Sequence, residues 1–398
     1  MFDECTSLKN ISSLFAGCNE FRIQLASEMF KNCVLQDVSN AFANSRVYGK
    51  IPSRLFYMTS GPSIKTMSNI FQGCYNLGYD KDYTFAEVPV LLDGTLSNWY
   101  DHIVSEGTKL DDYTVPEDLF YWCTADADIA YVLGQLWWNE NTIPDEPEGG
   151  IYSIKTNEDV WIGPNCKIPA NILQGESLVT SKKLIGVFAN THFLPEGEID
   201  ATTYARGNLY PDGLFKNMTN LTNISEMFYG TIIDKGCVIN KDLFMSDSST
   251  YLPLTVLSSV WQNCTFTYKA TDYAEDTGSA QIDFSMFDNY TTLTDISYMF
   301  AGEMSKSYGL HEISSTMFSG IDQTSILNTL NISNLFAYSD ITVDSTAPLF
   351  KKAKLTAGGN TYLTGISPTL IKNAQAVKTA GLAPNTDEWN EYTTEDES

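Results

Sequence analysis

The chemistry this chain could perform is limited first by its histidines. There are three in 398 residues, His102, His192 and His311. None stands at metal-ligand spacing from a second His. No HExxH, GxGxxG, GxxxxGK[ST] or GxSxG motif occurs, so the usual sequence signs of zinc, nucleotide and acyl-transfer chemistry are missing. Each His therefore reads as an ordinary surface or loop residue. Carboxylates are plentiful instead. The candidates are Asp126 with Asp128, Asp111 with Asp112, and Asp145, Glu146 and Glu148. A calcium ion needs several oxygen ligands around one point. Asp126 and Asp128 are the pair this reading selects, because Asp126 aligns with the apolar Leu221 of a matching segment. The bland reading is a segment whose core opens beside an insertion. A glycosidase needs two carboxylates at a set separation, and no pair stands out among so many acidic residues. No cofactor is expected from any motif; calcium at Asp126 and Asp128 stays open.

Aromatic residues give the other candidates. Five of the seven tryptophans, Trp99, Trp122, Trp137, Trp138 and Trp161, fall between 99 and 161, with Tyr100 beside the first. Trp is favoured in protein-contact hot spots and as an amphipathic stacking surface. Trp99, Tyr100, Trp137, Trp138 and Trp161 are the candidate binding residues. Trp122 lies in a repeated segment and reads as a core plug, as does one of Trp137 and Trp138.

These residues must be positioned by a repeat. In PDGLFKNMTNLTNISEMFY, Phe215 and Phe228 stand thirteen apart. The same spacing separates Phe2 from Phe15, Phe120 from Leu133, and Phe287 from Phe300. A first phase places Phe at Phe2, Phe30, Phe56, Phe120, Phe215, Phe244, Phe287, Phe318 and Phe350. A second places an aromatic at Phe15, Phe42, Phe71, Phe188, Phe228, Trp261, Phe300 and Phe336. Uninterrupted copies are 26 to 29 residues apart, within the range of leucine-rich and related solenoids. Proline three residues before the first-phase pair (IPSRLF, VPEDLF, YPDGLF) predicts a short helical turn beginning there. Ser or Asn before the second-phase pair (NISEMF, DISYMF, NISNLF) predicts an N-capped second turn. The Asn-x-Ser/Thr sequons at Asn10, Asn217, Asn220, Asn223, Asn263, Asn289 and Asn331 follow this register, so they read as capping chemistry. Short β-prone pieces lie between copies. One copy cannot bury its apolar face alone; stacking does so and builds a ladder of Phe rings.

Six of the eight cysteines, Cys5, Cys18, Cys33, Cys74, Cys123 and Cys264, follow a repeat aromatic by three residues, and Met218 fills the same place. A position shared by Cys and Met reads as a small buried apolar slot. No CxxC pair exists, so the expectation is buried thiols rather than a metal or redox site.

Apolar content of 43% and aromatic content of 13% support a substantial core. The net charge of −25 opposes a nucleic-acid backbone and an anionic membrane surface. The densest apolar run, Ile129 to Trp138, is too short to cross a membrane. Met1-Phe2 falls within a repeat unit and no signal peptide precedes it, which implies a piece of a longer protein.

The segments LTNISEMFYG, LTDISYMFAG, LKNISSLFAGC and KTMSNIFQGC resemble the BspA-type leucine-rich repeat, in the variant common in surface proteins of mycoplasmas and gut bacteria. The likeness covers roughly two-thirds of the chain. Coil length varies, the family's L-x-x-L-D-L strand is mostly absent, and 79–167 has no counterpart. The resemblance implies adhesion, host contact or protein binding rather than catalysis. Such repeats also occur in virion proteins of phages that infect gut bacteria.

The expected fold is an α/β, irregular leucine-rich-repeat-like solenoid of about nine to eleven coils with short helical turns and short strands. Residues 1–78 form N-terminal coils, 79–167 irregular coils with loop insertions, 168–383 C-terminal coils, and 384–398 an acidic, disordered or solvated tail. The expected function is a non-enzymatic structural or recognition module of a larger assembly, in a virion or on a cell surface. A bacteriophage appendage or tail-associated protein, contacting other subunits or a host-surface protein or glycan, is the leading form. The alternatives are a bacterial surface adhesin and a carbohydrate-binding or glycoside-hydrolysing module with its site in 79–167.

Overall fold

The computed structural model describes residues 4–18, 22–74, 114–134, 167–191, 210–233, 237–266 and 292–302 as continuous stretches. It adds Phe2, Leu77, Tyr290, Asn331, Leu335 and short pieces at 207–208, 281–282, 284–287, 312–313, 342–343 and 387–391. The strands among these residues are short: β1 (Arg22–Gln24), β2 (Arg46–Tyr48), β3 (Ile64–Thr66), β4 (Cys123–Asp128), β5 (Gly207–Asn208), β6 (Ile232–Ile233), β7 (Cys237–Ile239), β8 (Thr265–Phe266), β9 (Gln281–Ile282), β10 (Glu312–Ile313) and β11 (Thr342–Val343). Every pairing between them is parallel: β1 with β2, β3 with β4, β5 with β7 and β7 with β9, β6 with β8, and β10 with β11. The sheets β5-β7-β9 and β6-β8 interleave in sequence, so the chain visits one row, then the other, before returning. Parallel pairing requires such a return connection.

The second-phase segments carry the most regular order. With the aromatic (or Leu133) taken as position 0, position −5 forms a row of parallel bridges. One run joins Asn10, Asp37, Thr66 and Asp128; the other joins Lys183, Asn223, Val256, Asp295 and Asn331. Downstream of each bridge, alternate amides leave the segment. Ile11, Ser13, Phe15 and Gly17 donate to the carbonyls of Asp37, Ser39, Ala41 and Ala43 at 2.7–3.0 Å. Val38, Asn40, Phe42 and Asn44 donate in the same register to Thr66, Ser68, Ile70 and Gln72. The pattern recurs from Ile224 to Gly230 and from Leu257 to Asn263. The amides between them fold back three residues, as in Leu14 N to Ile11 O and Ala16 N to Ser13 O. Peptide groups therefore alternate between closing a turn and joining two segments.

This alternation displaces the expected helical turns. At position −2, Ser13, Asn40, Asn69, Tyr131, Gly186, Glu226, Ser259 and Tyr298 all have φ between +54° and +59°. Glu28 and Arg54 adopt φ of +57° and +59° two residues before a first-phase Phe, and Gly213 +78°. A positive φ at the third of four residues is the mark of a type II turn. It also stops an α-helix, which needs negative φ throughout. Pro211 opens such a turn, with Gly213 third and its carbonyl accepting from Leu214; Pro116 and Pro169 also open turns, their carbonyls accepting from Leu119 and Ile172, without a positive φ at the third residue. Among the described residues, one 3-10 turn falls at a first-phase aromatic, Phe284–Phe287. Within the acidic tail, Asp387–Glu391 is a short α-helix with Asp387, Asn390 and Glu391 exposed.

Aromatic rings stack between segments. Phe2, Phe30 and Phe56 stack at 5.2 and 5.7 Å; Phe15, Phe42 and Phe71 at 5.5 Å each. Phe188, Phe228, Trp261 and Phe300 continue a column at 6.2, 6.2 and 5.5 Å. Fully burying such a ring contributes about 1.5–3 kcal/mol. Within 79–167, Thr114–Gly134 keeps the ladder register, while the insertions expected at 79–115 and 134–167 lie, apart from their edge residues, outside the described residues.

Candidate functional site

Asp126 sits in a bulge. Between the partners Ile64↔Cys123 and Thr66↔Asp128, β4 uses three more residues than β3. The extra length lets the buried Cys123 and Ala127 meet the core and turns Asp126 outward, at φ +54°. Its carboxylate then does the work of a carbonyl. Elsewhere, two successive amides share the position −6 carbonyl of the preceding segment: Gln36 and Asp37 on Lys9 O, Thr222 and Asn223 on Lys182 O, Thr255 and Val256 on Thr222 O. At this junction Lys182 N and Lys183 N bond Asp126 Oδ1 at 2.7 and 3.0 Å. The Asp126 amide donates to Ser181 Oγ at 2.9 Å. Asp128 Oδ1 accepts from Ala130 N at 3.3 Å. The two carboxylates selected for calcium thus each hold backbone, and among the described residues no group of three His, Cys, Asp or Glu is placed to hold a metal.

Asp128 belongs to a wider set. Asn10, Asp37, Asn223 and Asp295, at the same position −5, accept from the amide two residues on at 2.7–3.0 Å. These are Asx turns. The sequons at Asn10 and Asn223 therefore serve turn entry, the capping role expected of them, applied to a turn rather than a helix.

The cysteine slot is buried but not simply apolar. Cys5, Cys18, Cys33, Cys74, Cys123 and Cys264 are unbridged. Cys33, Cys74 and Cys264 each donate Sγ–H to the carbonyl of the equivalent Phe one segment earlier: Phe2, Phe42 and Phe228, at 3.6, 2.9 and 3.1 Å. Burial pushes the Cys74 and Cys264 thiols up to about 12, against a smaller opposing effect of Ser45 and Thr231. Burial raises Cys123 as well. The sequence reading missed that Ser45, Thr191 and Thr231 occupy the same buried place. Ser and Thr share with Cys a compact side chain able to donate, whereas Met218, buried in the same place, has no hydrogen to give.

A contact surface is assembled on the first-phase side. Glu28 and Arg54 occupy equivalent places in successive segments. Glu28 pairs with Lys31 at 3.0 Å and with Arg54 at 2.8 Å. The Lys31 ammonium, hydrogen-bonded to Glu28, holds that carboxyl below its usual range, and Arg54 adds to the effect. The Arg54 guanidinium lies 4.1 Å from the Tyr57 ring centre, a cation–π contact. Its backbone N donates to Asp118 Oδ2 at 2.7 Å. Tyr57 meets Trp122 edge-on at 5.1 Å, and Tyr121 meets Trp122 at 5.0 Å. Tyr121 is 38% exposed. Trp122 is half-buried and packs against the core, a partial plug, and nothing among the described residues accepts its buried Nε1–H. Such a surface can stack on a ring or apolar face and offers cations, anions and hydroxyls at its rim.

Trp99, Tyr100, Trp137, Trp138, Trp161 and the histidines His102, His192 and His311 lie outside the described residues, as do Asp111, Asp112, Asp145, Glu146 and Glu148. No protein-family model, curated protein or solved structure matches this chain.

Proposed function

We propose that this chain is a non-enzymatic structural and recognition module of a larger assembly, built as an irregular leucine-rich-repeat-like solenoid. Its leading form is a bacteriophage virion appendage contacting neighbouring subunits or the host surface. The observation that supports this is the segment-to-segment ladder. Backbone and side chains alike, down to Asp126 and the thiols, join one segment to the next. Such construction makes a long scaffold whose outer residues are available for contact. The experiment is mass spectrometry of purified virions and bacterial surface fractions, searched for peptides of this chain. Stoichiometric recovery from virions is the expected result. Recovery confined to cell surfaces moves the proposal to an adhesin.

A second reading, glycan binding, is favoured by the Tyr57–Tyr121–Trp122 surface. Oligosaccharide titration followed by Trp fluorescence tests it. A saturable change lost in Tyr121→Ala supports it, and a flat response removes it.

A further inference from the structure

The step from the segment around Leu133 to the one around Phe188 is built differently from the steps on either side of it. On its near side, Met67, Asn69, Phe71 and Gly73 donate to the carbonyls of Asp128, Ala130, Val132 and Gly134. On its far side, Leu184, Gly186, Phe188 and Asn190 donate to those of Asn223, Ser225, Met227 and Tyr229. Across it, Tyr131 N donates to Gly186 O at 2.7 Å, from position −2 to position −2. The links from Asn69 N to Ala130 O and from Gly186 N to Ser225 O run from −2 to −3, so the register slips by one residue. The Ile129 amide, in a residue 1% exposed, meets no acceptor among the described residues, although its equivalents Met67 and Leu184 both donate. The row of parallel bridges breaks between Asp128 and Lys183. The ring stack that ends at Phe71 resumes at Phe188, with Leu133 between, and Leu173 interrupts the first-phase rings in the same stretch.

We infer that this step is a seam, at which the ladder parts reversibly into two blocks while each block stays folded. The inference holds whichever assembly carries the chain. Side chains do much of the closing. Asp126 Oδ1 accepts from Lys182 N and Lys183 N at 2.7 and 3.0 Å, and Ser181 Oγ accepts from Asp126 N at 2.9 Å. Tyr131 acts as a strap. Its ring passes over Gly186, where a Cβ would stand 3.4 Å from the Tyr131 Cε2, and its hydroxyl donates to Glu226 Oε2 at 3.0 Å. That bond joins two segments with a third between them, so it closes the seam and grips the far block beyond its first segment. Glycine at 186 takes the φ of +59° and leaves the ring its path. A boundary with a slipped register, an unmet amide and no stacked rings opens at lower free energy than the regular steps beside it.

The test is native-state hydrogen exchange of the full chain, resolved to single amides by electron-transfer fragmentation and mass spectrometry. Tyr131, Lys182 and Lys183 bond across the seam; their equivalents Asn69, Thr222 and Asn223 bond within a block. Protection factors of the first three should lie about tenfold or more below those of the second three. Tyr131→Phe removes the strap's donor and should lower protection at 131, 182 and 183 together by about fivefold, leaving Asn69, Thr222 and Asn223 unchanged. The concerted fall is decisive, because Lys182 and Lys183 keep their own bonds to Asp126 in that variant. Glu226→Asn withdraws the acceptor while tolerating the φ of +57° and should act in the same way. Equal protection across the seam and within the blocks overturns the inference. So does a fall confined to position 131, which is local fraying, or an equal fall inside the blocks, which is loss of stability throughout.

Discussion

At the scale of single residues, side chains stand in for backbone. Asp126 replaces a ladder carbonyl while holding a φ of +54°, a conformation that Asp and Asn tolerate better than most residues. Asp126→Asn keeps both the acceptor and that tolerance, Asp126→Gly keeps only the conformation, and Asp126→Ala keeps neither. Urea denaturation should rank the chain as wild type and Asn, then Gly, then Ala, with the Ala variant losing about 1–2 kcal/mol. Removal of calcium by chelation should leave that ranking unchanged, and a large chelator effect would support the metal reading of Asp126 and Asp128. The thiols make a second prediction. Cys74 and Cys264 rise from an ordinary 9.0 to about 12 on folding. The folded value lies above the unfolded one, so these groups favour the folded chain fully below pH 9. That contribution is withdrawn as pH climbs from about 9 to about 12. Melting temperature should fall across this window, and the fall should be shallower in the double variant Cys74→Ser, Cys264→Ser. Identical slopes would assign the loss to other groups.

At the scale of the element, the unit is a string of turns rather than a helix. A 3-10 turn and a type II turn both close three-residue hydrogen bonds, so Pro, Ser and Asn at the start read alike for either. What separates them is the left-handed residue at position −2, where the chain places Ser, Asn, Tyr, Glu and Gly. No single residue type marks it, and the Asn preference is weak. Ser259, at φ +58°, shows the cost. Ser259→Gly should gain about 0.5–1 kcal/mol, since the left-handed penalty of roughly 1–2 kcal/mol outweighs glycine's extra unfolded freedom. Ser259→Val should lose about 1–2 kcal/mol, because a branched Cβ crowds this conformation. Thermal melts of the pair decide it. Gain from Val and loss from Gly would mean that side-chain packing, not φ, governs the position.

At the scale of the whole molecule, a net charge of −25 is carried on a chain with only 24 basic residues. Self-repulsion at low salt should destabilise the packed state. Raising ionic strength from about 0.01 to about 0.5 M contracts the Debye length from about 30 Å to a few ångströms. The melting temperature should rise by several degrees over that range. A fall would show that ion pairs such as Glu28 with Arg54 and Lys31 outweigh the global repulsion, contrary to the small worth of exposed pairs.

The sequence by itself determined which residues meet. Phe spaced by 13 and by 26 to 29 places rings in columns, because the burial of large apolar side chains is set by their positions along the chain, whatever turn connects them. The slot three residues after each aromatic was visible for the same reason, though its donor chemistry was not. The tertiary structure decided the rest. Turn won over helix because amides that point out of a turn reach carbonyls of the neighbouring segment, and no local signal encodes a partner 26 or more residues away. Asp126 acquired its place from a three-residue bulge measured against β3, a register that exists only when both strands are present. Trp122 came to pack between the core and the rings of Tyr57 and Tyr121, one from the segment before and one from its own.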